Sequence, residues 1–388
     1  MRHLILFTLL ITVAGIRTAA SQTPPATPAL EAAITQLGTV DYGNSEAVDA
    51  AEQYIRRLPA AQAAPALTTA VLSAADQLVR SRALVLLTGF NDPATPALMR
   101  TLMGDRSLRV RDLTYRWFAL HPDPSQASTL LELLQAEKSD TVRPALVSAL
   151  AAVDTDPQIR RALLDEINRG PDFFRVAVID TLGRRHATYA ADAIAEIAKL
   201  EGPLQDDAVL ALARIGDPRA TGIVAPAGDN GADVRAALLA APCLLGGDCA
   251  AATKTLTDVA LNAATTPQNA QAAVTALGAA AGKPDMGATS ALLTLESKAP
   301  PAASDQATVE LSILAIRSPL PMLAWLDSLA DGPLRNAALD VLGTGFERLE
   351  EDFAEEQFYV AAHAAYVAAP QGSAARTRLG ALLDALGF

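Results

Sequence analysis

Aromatic side chains are scarce in this sequence, 4% of its 388 residues, although hydrophobic residues make up 51%. The apolar content is therefore mostly Ala and Leu, with few of the large side chains that favour strands. Ala and Leu are strong helix formers, and Ala lets helices approach closely. Disorder over most of the chain is excluded by the same composition, since hydrophobicity is high and charge density modest.

Histidine is almost absent too. His3, His121, His186 and His363 lie far apart, and none sits in a metal-ligand spacing with Cys, Asp or Glu. No glycine-rich dinucleotide fingerprint, phosphate loop or nucleophile elbow occurs. The sequence therefore predicts no catalytic residue, no cofactor and no metal. The net charge is −12, and the basic residues are spread along the chain without a patch, which argues against nucleic acid as a partner.

Long apolar runs are missing beyond the first residues, so no transmembrane segment is expected in a mature chain. At the start, Met1-Arg2-His3 is followed by an apolar run from Leu4 to Ala14, and then by Thr18-Ala19-Ala20-Ser21. A charged start, a short apolar stretch and small residues are the pattern of a cleaved export signal, with cleavage expected after Ala20. The sequence thus predicts an exported protein, periplasmic or secreted. Without residues 1–20 the net charge becomes −14. Only two cysteines are present, Cys243 and Cys249, separated by Leu244-Leu245-Gly246-Gly247-Asp248. The spacing leaves two readings: a disulfide suited to an oxidising compartment, or two small buried side chains without a bond.

What is abundant is self-similarity. Val79-Arg80…Ala83…Leu86-Leu87…Asn91-Asp92-Pro93 is echoed by Val142-Arg143…Leu146…Ala149-Leu150…Asp156-Pro157. Phe174-Arg175…Val178…Leu182-Gly183 and Leu204-Gln205…Ala208…Leu212…Gly216-Asp217-Pro218 repeat it again. Apolar or small residues three, six and seven positions after each anchor trace one face of a helix. Gly, Asn or Asp followed by Pro ends that helix and starts the next. Anchors at Arg80, Arg111, Arg143, Arg175, Gln205, Arg235 and Ala270 are spaced by 31, 32, 32, 30, 30 and 35 residues. A weak unit is expected near Val309 and a clearer last one at Arg335. Second helices fall between the anchors, such as Gln126 to Leu134 and Gln158 to Asn168.

The residues that carry this pattern resemble the HEAT repeat family, in particular the short HEAT-like repeats of phycobilisome lyases. Ala211-Leu212-Ala213-Arg214-Ile215-Gly216-Asp217-Pro218-Arg219-Ala220 is the closest single match. The resemblance implies an all-α fold: an α-solenoid of stacked antiparallel helix hairpins, exposing a long ridge without an enclosed pocket. It implies structural roles for Asp76, Asp105, Asp140, Asp172, Asp233 and Asp331, and for the anchor arginines, which link adjacent units. It does not fix an activity, since such repeats serve many functions. Deoxyhypusine hydroxylases, which share the repeat, hold iron through His-Glu pairs, and no His here is followed by Glu.

The expected layout is a signal at 1–20 and a Pro/Thr-rich linker at 21–28, then N-terminal capping helices and a first hairpin at 29–75. A repeat array at 76–345 and C-terminal capping helices at 346–388 complete it. Glu347, Glu350, Glu351, Asp352, Glu355 and Glu356 are expected as a solvated cap face. Trp117 is expected in the core. Tyr115 and Arg116 are expected on outward positions of the same helix, as a contact surface for a protein partner. The function expected is a non-catalytic, protein-binding scaffold in an extracytoplasmic compartment. The alternative is a HEAT-like enzyme or pigment-attachment factor with an active site in the groove.

Overall fold

A computed structural model describes residues 28–39, 46–228, 231–281, 286–348 and 354–388. The expected signal segment and nearly all of the linker lie outside the described residues, as do Glu350, Glu351 and Asp352. The described chain contains twenty-one α-helices and three short 3-10 turns, with no strand among the described residues. It is an all-α solenoid of antiparallel hairpins.

Two helices open it, α1 (Pro28–Gln36) and α2 (Glu46–Arg56). Hairpins then follow, each with an outer and an inner helix. The outer helices are α3 (Ala60–Ser73), α5 (Thr95–Leu102), α7 (Ala127–Ala136), α9 (Pro157–Ile167) and α11 (Ala191–Ala198), then α14 (Cys249–Leu261), α16 (Met286–Lys298) and α18 (Pro319–Ser328). The inner helices carry the anchors. They are α4 (Gln77–Thr88), α6 (Leu108–Leu120), α8 (Arg143–Ala151), α10 (Asp172–Arg184), α12 (Gln205–Ile215), α13 (Ala232–Leu244), α15 (Pro267–Ala281), α17 (Pro301–Arg317) and α19 (Pro333–Arg348). Between α12 and α13 the outer helix is reduced to the turn Pro218–Thr221. Two helices end the chain, α20 (Ala354–Ala368) and α21 (Ala374–Ala385).

The boundaries differ from the expected layout in two places. α3 packs on α4, so the boundary expected between residues 75 and 76 falls inside a hairpin. α19 runs on through Phe346 to Arg348, so the boundary expected after residue 345 falls inside a helix. Both differences have one cause: stop signals mark hairpin ends, whereas a unit boundary is set by which helices pack together.

Most of the polar anchors share a physical task. The last carbonyls of an outer helix lack intrahelical donors. Arg80 Nε donates to Val71 O (2.7 Å), Arg143 Nη1 to Leu134 O (2.7 Å), Arg175 Nε to Ile167 O (3.1 Å) and Gln205 Nε2 to Ala198 O (3.0 Å). Arg335 does the same at Leu326 O. The guanidinium charge is then met by a carboxylate beyond the next outer helix or at its end: Arg80 by Asp105, Arg111 by Glu137 and Arg143 by Glu166. This is the ladder between units that the resemblance implies. In α17 the anchor position belongs to Ser304, whose Oγ donates to Glu296 O at 2.6 Å, and not to Val309. A short hydroxyl does there what a long guanidinium does elsewhere, which is why the unit looks weak in the sequence.

Inner helices pack side by side along the chain, while most outer helices contact chiefly their hairpin partner. The inner row is therefore tighter, and the solenoid curves with this row on its concave side. Small residues allow the tight spacing: a Cβ on Gly183 of α10 would stand 2.7 Å from Ala211 Cα of α12. The curvature carries the chain round on itself. The end of α2 meets α20 through a buried Arg56–Glu356 ion pair at 2.7 Å, 300 residues apart in sequence, and Tyr359 Oη donates to Arg56 O at 3.4 Å. Gly89, just after α4, faces the same seam, where a Cβ would stand 2.7 Å from Glu356 Oε2. The expected open ridge is thus corrected to a ring closed end to end. Glu356, grouped by sequence with a solvated acidic face, is buried because it is part of that closure.

Candidate functional site

Tyr115 does not face outward. It is 1% exposed, and its hydroxyl donates to Met103 O at 2.6 Å. Burial pushes its hydroxyl up to about 12. A single apolar face, as the repeat pattern implies, would leave this position outward. In fact the inner helices pack on their outer partner and on a neighbour at each side, so little of their surface is left open. Arg116 is half-buried and pairs with Asp112 at 3.0 Å. It lies five residues after its anchor, in the register that Ser148 and Asp180 occupy on α8 and α10. Trp117 is buried as expected, and stacks on His121 at 4.4 Å, whose Nδ1 lies 3.1 Å from Trp117 O.

The concave face gathers charge that the sequence reading did not single out. Asp180 of α10 meets Arg184 (2.9 Å), Arg214 of α12 (2.8 Å) and Arg317 at the end of α17 (3.7 Å). α10 and α17 are separated by three inner helices, so these side chains meet because the inner row curves. Burial raises the Asp180 carboxyl, but the three guanidinium groups outweigh it and hold the group below the usual carboxylate range. Burial, with Arg184 nearby, brings Arg317 down to about 10. Glu310 of α17 accepts from Gln306 at 3.0 Å, and burial pushes it up to about 7. Burial and the neighbouring Asp206 raise Asp207 to about 7 as well. The sequence signal was present: Arg184 and Arg214 each stand nine residues after their anchors.

A second surface lies on one edge of the ring, where each outer helix turns into the next inner one. Leu72, Leu108, Phe173, Leu200, Leu261 and Leu334 are all exposed there, Phe173 and Leu200 at 60% and 65%. Each sits at the end of an outer helix or in the first turn of an inner one.

The third feature is a cavity of about 600 Å³ at the seam, between α2, the loop after α4, α20 and α21. Its residues come from both ends of the chain, so no local pattern could have revealed it. Elsewhere, Cys243 and Cys249 form a disulfide across the turn between α13 and α14, which selects the bonded reading of that pair. Among the described residues no group of three or more His, Cys, Asp or Glu is placed to hold a metal ion. No single helix among them is long and apolar enough to cross a membrane.

Residues 64–151 match the family model of HEAT repeats. No curated protein matches the chain. Among solved structures, the chain is similar to human deoxyhypusine hydroxylase in complex with glycerol, at 18% identity and a TM-score of 0.29, over 64% of this chain and 95% of that one. It is also similar to a structure of microtubule polymerases with tumor overexpressed gene domain arrays, at 12% identity and a TM-score of 0.22, over 81% of this chain and 96% of that one. At these TM-scores neither likeness carries an argument about function. The matched segment spans α3 to α8 and carries HEAT repeats, and the all-α solenoid continues beyond it to α19.

Proposed function

We propose that the protein is a non-catalytic binding scaffold that acts outside the cytoplasm and holds a protein partner along the apolar edge of its ring. The row of exposed large apolar side chains on that edge carries the reading. Single exposed leucines are ordinary, but a large exposed apolar side chain near six of the eight outer-to-inner turns makes a surface that needs covering. Phe173 and Leu200 at its most exposed points are the expected anchors. The charged cluster of the inner face is a poorer candidate for chemistry, because its carboxylate, Asp180, is already engaged by three arginines within the fold. Export rests on the pattern of residues 1–20, and nucleic acid is disfavoured as a partner by the net charge of −12.

The test is capture from the native envelope by immobilised wild-type protein and by the Phe173→Ser, Leu200→Ser double variant. The partner retained by the wild type is then purified and bound directly. Affinity should fall about tenfold or more in the double variant, with helicity unchanged. Equal affinity of the two proteins for that partner would remove the edge from the binding surface.

A further inference from the structure

The seam cavity has the composition of a ligand site. Its volume of about 600 Å³ lies within the roughly 300–1,000 Å³ of small-molecule sites. One wall is an aromatic row on α20, where Tyr359, His363 and Tyr366 follow at positions i, i+4 and i+7. Tyr359 and His363 stack at 5.4 Å, and His363 and Tyr366 follow at 6.4 Å. Such a stripe usually packs into a core. Here it does so only at Tyr359, which is buried, while His363 is exposed and Tyr366 half-buried.

Tyr359 and Arg56 are engaged in the seam, but other polar groups around this wall are not used by the fold. Among the described residues, the His363 ring nitrogens, the Tyr366 hydroxyl and the Asn91 side-chain amide make no hydrogen bond to protein. Arg57 and Asp384 face each other at 3.8 Å across the mouth, with side chains 65% and 77% exposed. The smaller cavity beside α18 and α21 shows the contrast. Its Arg378 is fully engaged by Asp327, Asp331 and Leu329 O.

We propose that the seam cavity binds a carbohydrate through stacking of a pyranose ring on the Tyr366–His363 wall. A pyranose presents an apolar face of C–H groups, which are attracted to the negative face of an aromatic ring. Its hydroxyls lie around the rim and need donors and acceptors in mixture. Arg57 donates, Asp384 accepts, and Asn91, Tyr366 and His363 can each do both or either. A simple anion would find Asp384 opposed to it, and a purely apolar ligand would leave these groups without partners once water is displaced. Gluco-configured rings fit best, because their equatorial hydroxyls leave both faces free for stacking.

The experiment is calorimetric titration of the full chain with cellotetraose, chitotetraose and maltotetraose, and with N-acetyl-tyrosine amide as the competing class. At least one of the three sugars should bind one to one, with a dissociation constant of about 1 mM or tighter. His363→Ala and Asp384→Asn should each weaken it about fivefold or more, while Val224→Ser, at an exposed position outside the cavity, leaves it unchanged. Both seam variants change exposed side chains, and circular dichroism verifies that they fold. Three results would overturn the proposal: no sugar binding at roughly 10 mM, sugar binding indifferent to both seam variants, or binding of the tyrosine amide in place of every sugar.

Discussion

Glu310 is a carboxylate packed between α15 and α17, close enough to Gly278 that a Cβ there would overlap it. Burial raises it from the ordinary 4.5 to about 7. The folded state therefore binds its proton more tightly than the unfolded chain does. The resulting stabilisation is complete below the unfolded value and is lost as pH rises through about 7. Glu310 alone should contribute at most about 3 kcal/mol of this, and Asp207, raised in the same direction, adds to it. Thermal melts from pH 5 to pH 8 should show stability falling as pH rises. Glu310→Gln, which keeps the shape and can still meet Gln306, should flatten that slope. An unchanged slope would mean that Glu310 is ionised in the folded protein across this range.

At the same scale, the anchors were legible in the sequence because an arginine at a fixed place in each helix breaks an otherwise apolar pattern. Tyr115 was misplaced because a tyrosine looks alike whether its hydroxyl meets water or a buried carbonyl such as Met103 O. Asp180, Arg184, Arg214 and Arg317 were legible as charges but not as a cluster, since their meeting depends on curvature.

For the helices, period and punctuation did most of the work. Asp76, Ser107, Asp156, Asp217 and Asp248 cap helices or turns by accepting from backbone N–H groups two or three residues on. What punctuation leaves out is how closely two helices may approach. Gly183 sets this for α10 and α12, since its position faces backbone of the neighbour. A Gly→Ala change in a helix gains about 1 kcal/mol in propensity. Here a methyl group must displace a backbone atom of α12, and overpacking of this kind costs about 1–3 kcal/mol. The clash should win, so denaturant unfolding of Gly183→Ala should show a net loss of about 1 kcal/mol or more. Gly104, where a Cβ would meet nothing within 4 Å, provides the control, and Gly104→Ala should be near neutral. Equal stability of the two variants would contradict the close approach of the inner row.

For the whole molecule, the composition already pointed to tight packing. An Ala-rich inner row such as α12, α13 and α15 brings axes together, while Leu-bearing outer helices such as α7, α9 and α16 stand apart. Small differences in spacing accumulate over nine inner helices into closure. No single residue announces this. Arg56 and Glu356 pair across 300 positions, and a sequence carries no local record of such a contact. Curvature gathers the charged inner face, and its completion into a closed ring makes the seam cavity. Arg57 and Asp384 stand 3.8 Å apart at the seam, and both are open to reagent. In an Arg57→Lys variant, a zero-length carbodiimide coupling in dilute solution should join residues 57 and 384, detected by mass spectrometry of the digested monomer. The Lys254–Asp258 pair on α14 reports whether the reagent has acted. A closed ring predicts both products. Coupling at 254–258 with none between 57 and 384 would show that the solenoid is open and contradict the account.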